Sequence, residues 1–111
     1  VFKTLMTLAD AKPACVIVPS DCEVSMKKLA AVLGGKSAQM MKPADAERLT
    51  GYKVGGVSPF GQRKVVPTVM DETAILFDRI LINGGQRGLL LGLTPDEAAR
   101  AAGAMMADLT A

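Results

Sequence analysis

Two short stretches hold the groups that could act on a substrate. The first is VFKTL at residues 1–5, where Lys3 and Thr4 interrupt the apolar Phe2 and Leu5. A lysine in a strand ordinarily lies on the solvent face. Its other use is as a fixed cation aimed at a phosphate or a developing anion. The second stretch is TGYKVGGVSPFGQRK at residues 50–64, which holds Gly51, Gly55, Gly56, Gly61 and Pro59. Glycine serves where backbone takes positive φ or must approach something closely. Gly55-Gly56 is therefore either a tight bend between elements or a pair of N–H donors open to a carbonyl oxygen.

An absence narrows the chemistry further. The chain contains no histidine, so Ser-His-Asp and Cys-His catalysis within it are excluded. Cys15 and Cys22 form no CxxC, and two cysteines without histidine cannot complete a structural zinc site. No metal or other cofactor is expected. What remains is lysine, carboxylates, backbone dipoles and the substrate's own groups. Phosphate-loop signatures also fail. Gly56–Gly61 has the glycine spacing of a Walker A loop, but Gln62-Arg63 follow where Lys and Ser/Thr are required. No GxGxxG occurs. Gly85-Gln86-Arg87-Gly88 matches a GXXG clamp, a four-residue pattern without the flanking helices that clamp needs.

The elements that must hold these groups follow from patterning. At 111 residues the chain makes one domain, and with half of its residues hydrophobic it can bury a core. Only 4% are aromatic, so Val, Leu, Ile, Ala and Met build that core. Val1–Leu8 and the apolar run Ala14–Pro19 read as antiparallel strands joined by turn residues from Asp10 to Pro13. Ser25 caps a helix that Gly34-Gly35 stops. Ser37–Met41 is a weak strand, and Pro43 opens a short helix through Leu49. Lys64–Met70 is strand-like, with Pro67 marking it as an edge or a bulge. Asp71–Phe77 reads as a helical turn. Arg79–Ile82 and Leu89–Leu93 form a hairpin around the turn at residues 83–88. Thr94-Pro95-Asp96-Glu97 is a capping box that opens a final helix running towards Leu109, with Ala98, Ala99, Ala102, Met105 and Met106 on its apolar face. The expected class is α+β: one compact domain over residues 1–111, with a mixed, mostly antiparallel sheet.

The net charge is only +2, which does not announce a nucleic-acid binder. A local patch can nevertheless do that work. No apolar run reaches the length of a membrane span and no signal-peptide pattern opens the chain. Cysteine usage fits a reducing cytoplasm.

Together, VFKTL, TGYKVGGVSPFGQRK, Pro67-Thr68 and GGQRGL at 84–89 resemble the YbaK/EbsC family of free-standing deacylases, which edit misacylated tRNA and are similar to the editing domain inserted in bacterial prolyl-tRNA synthetases. The resemblance runs from the first residue to the last helix. It implies a partly closed mixed sheet with surrounding helices, and hydrolysis of a wrong amino acid from tRNA(Pro). Cys-tRNA(Pro) is the implied substrate, while relatives clear Ala, Ser or Thr. The implied partners are the tRNA(Pro) acceptor end and prolyl-tRNA synthetase, in the cytoplasm, with the protein a monomer or weak dimer. The family's lysine matches Lys3 and its threonine Thr4. Gly55 and Gly56 fall in its glycine motif, so with Lys3 they are the expected catalytic groups. Val54, Ser58, Pro59, Arg87 and Gly88, with Thr4, are the expected substrate contacts. Lys53, Arg63 and Lys64 are expected to supplement Arg87 against the acceptor stem. Family members carry a further N-terminal segment of a few dozen residues before the position of Val1. One position departs from the pattern: Leu90 stands where an aspartate is usual. That departure keeps open a second reading, a non-catalytic module that binds tRNA or a synthetase.

Overall fold

The computed structural model describes all 111 residues. Strands β1 (Phe2–Ala9) and β2 (Lys12–Pro19) form the longest antiparallel ladder, from Phe2↔Pro19 to Ala9↔Lys12. Asp10 and Ala11 make the turn between them, both at positive φ (50° and 67°). Such a two-residue turn matches the twist of the strands it joins. The Asp10 carboxylate also accepts the Lys36 and Ser37 N–H groups, tying the turn to the segment after the first helix. That helix, α1 (Met26–Val32), starts at Ser25, whose hydroxyl accepts the Lys28 N–H. The short strand β3 (Ala38–Met40) then pairs with the far end of β1.

Helix α2 (Pro43–Thr50) begins on its proline and ends on Gly51 at φ 83°. The loop 50–64 leads to β4 (Thr68–Asp71), a 3-10 turn (Glu72–Leu76) and the hairpin β5 (Ile80–Asn83) and β6 (Leu90–Leu93). The capping box at Thr94 is formed as expected: its hydroxyl accepts the Glu97 N–H, and the Glu97 carboxylate accepts the Thr94 N–H. That hydrogen bond from the Thr94 backbone holds the Glu97 carboxyl below its ordinary range.

Helix α3 does not run to Leu109. It covers Pro95–Ala102 and stops at Gly103, which adopts φ 63° as a left-handed cap. Ala104–Ala107 leaves it as β7, parallel to β4 from Thr68↔Ala104 to Asp71↔Ala107. Met105 and Met106 are therefore strand residues. Pairing with a buried strand outweighed their helix propensity, which is a weak preference. Pro67 also plays a different part from the one expected. It precedes β4, which lies inside the sheet between β2 and β7 with all four residues buried.

The sheet order is β6-β5-β1-β2-β4-β7, with β3 beside β1. Three pairings are antiparallel and three parallel. The sheet curls into a half-barrel. One core packs Phe2, Ile17, Met70, Ile80 and Ile82 beneath Ala98 of α3. Another sets Val16, Val18, Val69 and Leu109 against Leu29 of α1. A third gathers Met6, Cys15 and Met41 under Ala46 of α2. Asp71 is fully buried, and its carboxylate accepts the Leu109 and Thr73 N–H groups and the Thr73 hydroxyl. No helix is long and apolar enough to cross a membrane.

One detail of the sheet positions the site. On its outer edge β1 meets β5 only at Phe2 and β3 only from Thr7 to Ala9. Lys3–Met6 have no strand partner there.

Candidate functional site: a cavity at the break beside β1

A cavity of about 420 Å³ opens at that break. Its walls come from β1 (Lys3, Thr4 and Leu5), from α2 (Pro43 and Ala46), from the glycine loop (Val54, Gly55 and Val57), and from Asn83 and Leu90 across the way. Of the expected site residues, Lys3, Thr4, Val54 and Gly55 thus share one wall system. Lys3 sits opposite Val18 and Thr4 opposite Ile17, so the two side chains leave the strand on opposite faces. The cavity reaches both because it lies at the strand's edge.

Lys3, Thr4 and Gly55 each bring a free polar group to the cavity. Lys3 is half-buried and makes neither an ion pair nor a hydrogen bond. Thr4 Oγ1 is the one buried side-chain oxygen or nitrogen in the chain without a partner. Such orphans are rare because desolvation without a hydrogen bond costs about 1–3 kcal/mol. The third is the Gly55 N–H, which has no acceptor within the chain.

The glycine loop earns its shape from several anchors. The Glu47 carboxylate accepts the Val54 N–H at 3.0 Å. Thr50 Oγ1 accepts the Tyr52 N–H, and the Tyr52 hydroxyl donates to the Phe60 carbonyl. Gly55 adopts φ 90°, a conformation natural to glycine. The neighbouring Gly56 is placed differently from Gly55: its N–H donates to the Lys53 carbonyl at 2.8 Å, closing a turn. A Cβ on Gly56 would stand 3.0 Å from the Arg87 backbone nitrogen, so this glycine lets the two loops touch. Only one of the adjacent amides is therefore open.

The remaining expected contacts lie outside the cavity wall. Ser58 and Pro59 are buried beneath the loop. The Ser58 hydroxyl accepts the Phe60 N–H, and its carbonyl accepts the Gln62 amide. Arg87 and Gly88 are exposed on the turn after β5. The Arg87 guanidinium lies over Gly55, with Nη2 3.0 Å from where a Cβ would stand. Arg87 thus closes the rim beside the free amide.

Asn83 and Met41 are wall residues that spacing did not single out. Asn83 shapes the rim turn: its side chain accepts the Gly85 N–H and donates to the Gln86 carbonyl. The Asn-Gly-Gly sequence was the available signal, since asparagine commonly bonds to backbone two residues on. No Asp or Glu lines the cavity, and Leu90 occupies the wall. Cys15 supplies no nucleophile either. Burial pushes its thiol up to about 11, and a thiol rather than a thiolate is poorly reactive. No cluster of His, Cys, Asp and Glu is arranged to hold a metal.

The arrangement can therefore bind an uncharged or anionic ligand by the Lys3 cation, the Thr4 hydroxyl and the Gly55 amide, with Ser20 also at the otherwise largely apolar wall. It offers no acid–base pair of its own.

Comparison with known proteins identifies the family. A model of the aminoacyl-tRNA editing domain matches residues 1–101. EbsC of Enterococcus faecalis, a proposed Cys-tRNA(Pro)/Cys-tRNA(Cys) deacylase, is 34% identical over 111 residues, spanning 99% of this chain and 68% of EbsC. The proline–tRNA ligase of Geobacter metallireducens is 31% identical over 87 residues, 78% of this chain but 15% of the ligase. The crystal structure of a proposed trans-editing enzyme for prolyl tRNA synthetase superposes with a TM-score of 0.92 at 26% identity, covering 99% of this chain and 69% of that one. The chain belongs to the aminoacyl-tRNA editing domain family.

Proposed function

We propose that this domain is a deacylase that hydrolyses the ester of misacylated tRNA(Pro), with Cys-tRNA(Pro) as its favoured substrate. One observation carries the reading: Lys3, the orphan Thr4 hydroxyl and the free Gly55 amide line a single cavity that lacks any acid–base pair. An aminoacyl ester suits such a site because it is already activated and needs no strong nucleophile from the protein. Lys3 holds the terminal nucleotide or its phosphate, which lowers the barrier by fixing geometry. The Gly55 N–H meets the ester carbonyl oxygen as charge builds on it, an interaction that stabilises the transition state by about 3 kcal/mol in comparable sites. Gly56 supports Gly55 through its turn and its contact with the rim.

With a cysteinyl ester the substrate's thiol attacks its own carbonyl carbon. The carbon–oxygen bond to the ribose breaks, the ribose oxygen takes the thiol's proton, and water then opens the thiolactone to free cysteine. Other aminoacyl esters require direct attack by water. Its partners are the tRNA acceptor end and prolyl-tRNA synthetase, in the cytoplasm. Leu90 favours a second reading, since an apolar side chain fills the wall where the family pattern has an acid. On that reading the domain binds tRNA or the synthetase without turnover.

Incubation with Cys-, Ala- and Ser-tRNA(Pro) separates the two. Release of free amino acid, fastest for cysteine, is the expected result. Binding without release of any of the three would leave only the module.

A further inference from the structure

We propose that a second groove, behind α2, seats the single-stranded RNA leading to the terminal nucleotide. This deepens the reading above and rests on it. The groove has a volume of about 400 Å³. Its floor is apolar, made by Leu8, Pro13 and Leu49, and its rim carries Arg48, Arg63 and Lys64 with one carboxylate, Asp45. Met41 lines both this groove and the cavity beside β1. The two spaces therefore adjoin at Met41, and on this proposal a strand whose last ester lies in the cavity continues past α2 into the groove.

The charges favour RNA as the occupant. Arg63 and Lys64 have no carboxylate partner, whereas Arg48 is paired with Asp45. Arg63 is also held in place. Its N–H donates to the Thr50 carbonyl, and its guanidinium lies across Gly51, with Nε 3.5 Å from where a Cβ would stand. Residues 42–64 hold five of the chain's thirteen cations and two of its eleven anions. Their excess of positive charge is larger than that of the whole chain, +2. A weak overall charge thus conceals a local patch around α2 and its loop. Cations above an apolar floor suit a nucleotide chain, with phosphates on the rim and a base against the floor.

The test uses fluorescence anisotropy with labelled, uncharged tRNA(Pro). Replacing Arg63→Gln and Lys64→Gln together should weaken binding roughly tenfold and make the dependence of log K on log salt shallower by about 1.4, because each phosphate contact on a single strand contributes about 0.7. Lys64→Gln alone touches an exposed side chain and should lower the slope by about 0.7 with the fold intact. A control that removes the same charge from α1 and α3, Lys27→Gln with Arg100→Gln, should bind like the parent. In deacylation, the groove variants should raise KM for charged tRNA and leave turnover of 2′(3′)-O-aminoacyl-adenosine unchanged, since that substrate is too short to reach the groove. An unchanged salt slope in the Arg63/Lys64 variant, or an equal loss in the control, overturns the groove. Neither result touches the proposed activity, which is read from ester release by the parent. If the parent releases no amino acid but the groove variants still lose RNA, the activity falls and the groove stands.

Discussion

The residues of the site divide by what their polar atoms have left to give. Thr4 Oγ1 is buried without a partner, so the free protein carries its desolvation cost. Thr4→Val removes the hydroxyl while keeping the shape. Urea unfolding should show the variant more stable by about 1 kcal/mol, and kcat/KM for the ester should fall roughly tenfold. A residue that served only the fold would not move the two readings in opposite directions. Gly55→Ala places a methyl against the flexible Arg87 guanidinium, at φ 90°. The expected loss is about 10²-fold in single-turnover rate, with no more than about 2 kcal/mol of stability. Unfolding of the variant would instead assign Gly55 to the bend alone. The sequence singled out the Gly55-Gly56 pair because without histidine few other groups could act, and Lys3 and Thr4 through the family resemblance; the fold brings Lys3, Thr4 and Gly55 to one cavity. Which of the two glycine amides stays open was not legible. That depends on the turn from Lys53 to Gly56, whose hydrogen bond exists only once the loop is closed. Ser58 and Pro59 were hidden for the same reason: a serine in a loop reads alike whether its hydroxyl meets a ligand or a neighbouring N–H.

Among the elements, the end of α3 shows how local signals can mislead. Its start was written in the capping box, and its continuation through Met105 and Met106 was plausible from their periodicity. The structure stops it at Gly103 and turns the next four residues into β7. Gly103→Ala tests this by sign. In a helix interior the change would stabilise by about 1 kcal/mol. At φ 63°, with open space around the missing Cβ, it should instead lower the unfolding free energy read from urea titration by about 1 kcal/mol through backbone strain alone. The strands β1, β2, β5 and β6 were readable because hairpins link near neighbours. The parallel pairings β2–β4 and β4–β7 join distant segments, and no local pattern records them.

For the molecule as a whole, the last ten residues matter more than the family match suggests. That match ends at residue 101, yet β7 adds four rungs beside β4 and Leu109 is fully buried in a core. Leu109 also donates its N–H to the buried Asp71 carboxylate at 2.9 Å. A chain ending at Gly103 would expose that core and leave the carboxylate short of a donor, a heavy cost at a buried charge. Circular dichroism on heating should show a sharp transition for the full chain and a broad, early one for the shortened chain. The site depends on this closure through β2, which packs Val16 and Val18 against Leu109 and pairs along β1 at the cavity wall. The cavity exists only because β5 and β3 each stop short along β1, where Lys3–Met6 lack a strand neighbour. The seam left between them couples ligand to folding. An occupant bridging it stabilises the native state alone, and at a hundredfold excess over its Kd should raise stability by about 2.7 kcal/mol. A non-hydrolysable aminoacyl-adenosine should therefore raise the melting temperature of the parent, and do so less for Thr4→Val. The unfinished edge of the sheet then acts as a thermodynamic sensor of whether the domain is holding its substrate.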